Sequence, residues 1–189
     1  MTVCLIYSGH LRTWEQCKCN HAEVLRPAPA HVVHYNETTH DLTPYHRDEW
    51  RHYYRGNEYP ETESQPENTL SMWRGMWNAW QLAPEGFDCY VRIRYDIILE
   101  GGGVDFPQWP MENNTVYIPE GNDYREGVND QFAFGNRQSM EKYYSVFHHH
   151  KTHFDAGKPF HTESYHKYTL DMLGVNIVRI PITNRILRP

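Results

Sequence analysis

The sequence predicts an α/β fold: a mixed, mostly parallel sheet flanked by helices on both faces. Two observations carry this. The chain opens on a continuous apolar run, Val3–Tyr7, as expected of a strand buried on both sides. Later strand-like runs alternate with helical ones, the pattern that winds a parallel sheet between helix layers. The 189 residues suffice for one core and not for a second full domain, so residues 1–189 read as a single domain.

Each element has a local reason. Ser8-Gly9-His10 breaks the first strand, and Thr13 with Gln16 reads as a capping box opening a helix that carries Trp14, Cys17 and His21 on one side. Pro27 and Pro29 end it, and His31–Tyr35 is a second strand. Thr43-Pro44 suggests an N-cap and first helical residue, starting a polar helix toward Tyr54. The Pro- and Glu-rich stretch 56–68 reads as a loop. Thr69 to Leu82 is a helix, because Leu70, Trp73, Trp77 and Trp80 recur at helical spacing. Pro84 and Gly86 stop it. Cys89 to Leu99 reads as one long strand, followed by a Gly101–Gly103 turn. Short strands at 115–118 and 130–134 precede a helix opened by Asn136, then a His-rich loop over 148–157. Thr162 caps a last helix that Gly174 ends, 175–180 is a final strand, and Arg185 and Arg188 lie in the tail.

The formal net charge of −6 argues against a nucleic-acid partner, which needs a basic face. No apolar run approaches the ~20 residues of a bilayer span, and Met1–Tyr7 lacks a basic leader. The four cysteines form no secreted framework, which points to the cytoplasm.

Four constellations could carry chemistry. Ser8, Gly9 and Arg12 follow the first strand, where a glycine allows close backbone approach and a helix N-terminus favours an anion; the plainer alternative is an ordinary βα turn with a surface arginine. Strand alternation would place Arg92, Arg94 and Asp96 on one face, and three charges there must be paired or ligated. Asp96 suits a divalent cation and the arginines a phosphate, against a purely structural Arg–Asp network. Asn129-Asp130-Gln131 offers a loop carboxylate that could accept a proton, or simply a turn. Glu163 sits in a helix first turn, a normal stabilising place for an acid. The His148–His153 tract reads as an exposed loop and not a metal site, and Cys17-Lys-Cys19-Asn-His21 has too few ligands at unsuitable spacing for structural zinc.

In combination, these motifs resemble the small GT-A-type (Rossmann-like) glycosyltransferases of bacteria, large DNA viruses and phages that decorate surface or capsid glycans, including the Chlorella-virus capsid glycosyltransferase domain. The resemblance rests on Ser8, Gly9 and Arg12; the helix around Trp73 and Trp77; the run from Asp88 to Asp96; Asn129 to Gly135; and Thr162-Glu163. It implies a nucleotide-diphospho-sugar donor, a UDP-sugar above others, over the strand ends. It also implies Mn2+ or Mg2+ at a DxD-like motif, and a glycan or glycoprotein acceptor. Here Arg94 stands where the first aspartate is expected, leaving Asp96 as that motif's carboxylate. Asp130 is then the expected base, with Glu163 as second choice or as a donor-sugar contact, and Ser8, Gly9, Arg12, Arg92 and Arg94 hold the donor. The alternative from another class is a non-catalytic nucleotide-sugar or glycan-binding module. A nucleotidyltransferase would need a more Gly-rich first turn than Ser8–Arg12.

Overall fold

The computed structural model describes residues 1–42 and 66–188. The expected helix from Thr43 and the loop up to residue 65 lie outside them. Among the described residues the elements are β1 (Val3–Gly9), α1 (Trp14–Val24), β2 (Leu25–Arg26), β3 (His31–Asn36), α2 (Pro66–Gln81), β4 (Cys89–Ile93), β5 (Ile97–Glu100) and β6 (Val104–Asp105). A single 3-10 turn (Phe106–Gln108) follows, then β7 (Thr115–Pro119), β8 (Phe132–Gly135), α3 (Arg137–Tyr144), α4 (Val146–Asp155), α5 (Thr162–Met172), β9 (Asn176–Ile180) and β10 (Thr183–Ile186).

Six strands form one mixed sheet in the order β3-β1-β4-β8-β7-β9. Pairing is parallel except where β8 meets β4 and β7, so β8 alone runs backwards. That reversal sets up the site: the start of β8 lies at the same sheet edge as the ends of β1, β3 and β4. Two short pairs, β10–β5 and β2–β6, complete the sheets.

Alternation along the strands splits the core in two. Cys4 and Ile6 of β1, Tyr90 of β4 and Ala133 of β8 face the layer made by α2, α3, α4 and α5. Leu5, Tyr7, Val91, Ile93 and Phe134 face the layer of α1, β5, β6 and the 3-10 turn. Among the described residues, helices therefore cover both faces, four on one and one on the other. The α1 side is completed by short strands, and Asn20 pins α1 to β5 by bonding both the N–H and the C=O of Leu99, at 2.8 and 2.9 Å.

The aromatic stripe of α2 is core, as its spacing predicts: Leu70, Trp73, Met76 and Ala79 are fully buried. Trp73 lies parallel to Tyr165 of α5 at 6.0 Å, and Trp80 to Tyr144 of α3 at 5.1 Å. The helix starts at Pro66, so 66–68, expected as loop, are its first turn; proline fits there because the first N–H has no helical acceptor.

Several expectations fail for identifiable reasons. Cys89 to Leu99 is two strands, because the chain turns through Arg94–Asp96. Thr13 caps nothing: its hydroxyl donates to the Leu187 carbonyl of the C-terminal tail at 3.0 Å. The histidine tract is helix α4, because Val146, His150 and His153 repeat at helical spacing and are buried. Histidine reads as polar in a pattern search, yet His153 packs inside and bonds Thr169 Oγ1 at 2.9 Å. Part of the expected tail is strand β10. Asn136, by contrast, caps α3 as expected, accepting from Ser139 N–H at 2.9 Å.

No helix among the described residues is long and apolar enough to cross a membrane. Leu70→Ala empties a fully buried site between α2 and the sheet, and should cost about 2–5 kcal/mol in urea unfolding.

Candidate functional site at the sheet edge

β4 ends at Ile93, and the next residue turns out of the sheet while its N–H still donates to the Gln131 carbonyl at 3.2 Å. Arg94 then closes on Asp96: Nε donates to Oδ1 at 2.8 Å and Nη2 to Oδ2 at 2.7 Å. This is the two-pronged geometry that suits guanidinium to carboxylate. Burial pushes Asp96 toward the neutral acid, but the Arg94 bonds and charge outweigh it and hold the carboxyl below its usual range. The pair is partly exposed, and the Asp96 carbonyl accepts from Leu187 N–H at 2.7 Å, so the tail clamps the turn.

Asp130 arrives from the β7–β8 connection, which is held in a strained shape. Asn122, Arg125 and Glu126 all have positive φ (55°, 52° and 60°), a region that side chains with a Cβ avoid. A web of polar contacts compensates. Asp123 accepts from Arg179 Nη2 at 2.7 Å and from Asn129 N–H at 2.9 Å. Asn129 Nδ2 donates to Asn184 Oδ1 at 2.6 Å, and Asn184 Nδ2 donates to Gln131 Oε1 at 2.5 Å. These three amide side chains are buried, so each needs its partners.

The same connection is pressed against the start of α5. Val128 N–H donates to the Glu163 carbonyl at 3.2 Å, and Ser164 Oγ donates to the Arg125 carbonyl at 2.7 Å. A Cβ at Gly127 would lie 2.2 Å from the Glu163 carbonyl carbon, so only glycine allows this approach. Asp130 and Glu163 are thereby held against one another's field by backbone, not by flexible side chains.

Burial acts on both acids. Asp130 is 3% exposed. Burial raises its pKa above the ordinary aspartate value, and Arg94 and then Arg92 offset only part of that rise. Glu163 is pushed up to about 8, first by burial and then by the charge of Asp130, so it holds its proton at neutral pH. His161 Nδ1 lies 3.1 Å from Glu163 Oε2. Burial keeps His161 itself below the ordinary histidine range.

The remaining expected residues divide. Ser8 is buried and Gly9 partly exposed at the end of β1, which pairs with β4 and so shares the sheet edge with Arg94. Gly9 has φ +124°, a conformation that favours glycine, and space is open where its Cβ would be. Arg12 is exposed and bonds no described residue. Arg92 does not reach the edge: it is fully buried in the helix-covered layer, against the expectation that it holds phosphate. The single-face alignment of Arg92, Arg94 and Asp96 fails because the strand stops at Ile93.

Asp96, expected to bind a metal, gives both oxygens to Arg94, and among the described residues no three His, Cys, Asp or Glu side chains gather in a way that could hold an ion. The side chains as placed do not fit a protein-held Mn2+ or Mg2+, and no chemical step is derived through one. Sequence reasoning missed Asp123, Gly127, Asn184 and His161; only the spacing of His161 to Glu163 carried any signal. No family model matches the chain, and no curated protein matches it significantly.

Two outcomes test this site. Glu163 binds its proton more tightly folded than unfolded, so stability falls as pH rises from the usual glutamate range, about 4.5, to about 8. Glu163→Gln should flatten that fall when chemical unfolding is compared at pH 5 and pH 9. Gly127→Ala should destabilise the fold by more than the ~0.5 kcal/mol typical of surface changes and bring the Glu163 titration back toward 4.5, seen by carboxyl NMR.

Proposed function

We propose that the chain is a glycosyltransferase of GT-A type, moving a sugar from a nucleotide-diphospho-sugar to a hydroxyl of a glycan or glycoprotein. The observation that carries the reading is the pairing of two buried, interacting acids beside a guanidinium. Burial raises both: Arg94 and Arg92 offset part of the rise at Asp130, and Glu163 stays protonated to about 8. Two acids in one another's field do not both ionise readily, so one can act as base while the other keeps its proton.

In an inverting displacement, Asp130 takes the proton of the acceptor hydroxyl as that oxygen forms its bond to the sugar C1. The C1–O bond to the diphosphate breaks, and the nucleoside diphosphate leaves with the electron pair. Arg94 faces the charge that grows there, a use of fixed electrostatics in which the group is already in place. Glu163 as a neutral acid donates a hydrogen bond to a donor-sugar hydroxyl. Gly9 lets the pyrophosphate approach the backbone, and Arg12 is free to swing onto the donor. The four free cysteines fit a cytoplasmic setting.

The Arg94–Asp96 pairing favours a second reading, a binding module without turnover, because Arg94 is already occupied. One experiment separates the two: a panel of UDP-, GDP-, TDP- and CMP-sugars, with and without Mn2+, read by thermal shift and by release of nucleoside diphosphate. Transfer is expected with at least one donor; stabilisation with no release supports the binding module, and no shift with any donor defeats both. In the active case Asp130→Asn should lower kcat by about 10²–10⁴-fold with donor binding retained, and near wild-type turnover removes Asp130 from the role. Activity should also fall as pH rises through about 8, where Glu163 loses its proton, and Glu163→Gln should erase that limb.

A further inference from the structure

A cavity of about 280 Å3 opens on the face of the sheet beneath α1, beside the outer strand β3, and the proposed transfer makes no use of it. Leu5, Tyr7 and Leu25 form a buried floor, while Lys18, Val32 and His34 form an exposed rim. The space has a local cause. Asn20 draws α1 toward β5, and on this face Val32 of β3 stays 38% exposed. Ala22 and Ala28 add only methyl groups to the lining.

Aromatic rings supply the walls. Tyr7 and His34 are registered neighbours on β1 and β3, and their rings lie parallel within 2° at 5.3 Å. Trp14 stands across them, at 70° to Tyr7 and 72° to His34. Parallel faces and a crossing indole offer a flat ring both stacked and edge-on contacts. A dry cavity of ~150 Å3 holds benzene, so this one has room for a ring and a substituent.

The polar groups decide what that substituent is. His21 Nε2 donates to the Ile97 carbonyl at 2.7 Å, so its Nδ1 accepts, and Tyr7 spends its hydroxyl proton there at 3.0 Å. Tyr95 is buried, so its hydroxyl needs partners for both its roles. The oxygen accepts from Asn36 Nδ2 at 3.2 Å, and the proton goes to His34 Nδ1 at 3.0 Å. That bond leaves the His34 N–H on Nε2, which bonds no described residue. The cavity thus offers a free N–H at His34 and the Lys18 ammonium, and among the described residues its lining contains no aspartate or glutamate. Lys18 pairs with Glu15 on the exposed side of α1, a contact of the kind that contributes little and yields to a better partner.

We propose that this cavity binds a small aromatic carboxylate, with its ring against Tyr7, His34 and Trp14 and its carboxylate on His34 Nε2 and Lys18. The site lies on the sheet face under α1 and not over the strand ends where the donor is placed, so it stands whether or not the chain transfers sugar.

The test uses 4-fluorobenzoate and the whole chain, followed by 19F NMR. The signal should shift saturably with a dissociation constant of about 1 mM or tighter, and 4-fluorobenzamide should bind about tenfold more weakly, because a charge-assisted bond is lost. Val32→Trp closes the rim and should abolish binding. His34→Phe keeps a ring in the wall but removes the N–H, so it should erase most of the preference for acid over amide. No saturable shift overturns the proposal, as does equal binding of acid and amide, or acid binding that neither variant alters. Should the variants fail to fold, nuclear Overhauser contacts from the bound ring to Trp14 and Tyr7 in wild type carry the test, and their absence overturns it. UDP should leave 4-fluorobenzoate in place; displacement would make the cavity part of a donor site and overturn its assignment as a separate one.

Discussion

Charge buried where β4 ends has to be balanced in place, because water reaches it poorly, and much of the surrounding architecture follows from that requirement. Two arginines leave β4 two residues apart. Arg94 escapes to the edge and is neutralised at once by Asp96, two positions on. Arg92 stays inside the helix layer with no direct partner. The cost of a lone buried cation is relieved by negative charge nearby, and Asp130 feels Arg92 as a pull toward the carboxylate that offsets part of its burial. The same burial that makes ionised Asp130 costly makes a second ionised acid beside it costlier still, so Glu163 remains protonated.

Topology explains why these groups meet at all. In a wholly parallel sheet, every strand would bring its carboxyl end to this edge. Because β8 runs backwards, its leading residues arrive there instead, and a loop acid preceding β8 faces charges that follow β4. Such an arrangement demands an accurate loop. The strained residues at 122, 125 and 126 and the buried amide web of Asn129, Gln131 and Asn184 show how accuracy is obtained: local conformational cost is offset by many fixed hydrogen bonds. Gly127 then removes the last freedom, because its backbone lies directly on that of Glu163.

Much of this was legible in the sequence, and the failures have physical causes. The first strand, the aromatic helix and the Asn136 cap follow from periodicity and local hydrogen-bonding chemistry, which a chain segment carries within itself. The acids at 130 and 163 were visible as residue types near element starts. Their coupling was not, since it depends on which strand is reversed, a long-range fact. The alternation argument for Arg92, Arg94 and Asp96 assumed a strand through residue 99, and nothing local announces the break at Ile93. Arg94 and Asp96, two residues apart, satisfy one another once the chain turns, and an extended strand would have held them apart. Helix α4 was hidden because its buried face is histidine, whose burial depends on partners such as Thr169 that lie sixteen residues away.

The charge balance also limits how this edge can hold an anionic ligand. At the edge Arg94 is already matched by Asp96, Arg92 lies inside the helix layer, and Glu163 keeps its proton to about 8. The edge therefore carries no excess positive charge, and the whole chain is acidic at −6. Long-range attraction cannot be the main source of affinity for a diphosphate here. Affinity would have to come from short-range geometry: the open backbone at Gly9 and the exposed guanidinium of Arg12. A diphosphate could gain Arg94 only by competing with Asp96 for the same fork. Binding at Arg94 would then release a carboxylate next to the ligand, which costs energy unless something takes up its charge. That competition makes Asp96, and not the two acids doing the proposed proton chemistry, the group that decides how readily the edge accepts a phosphorylated donor.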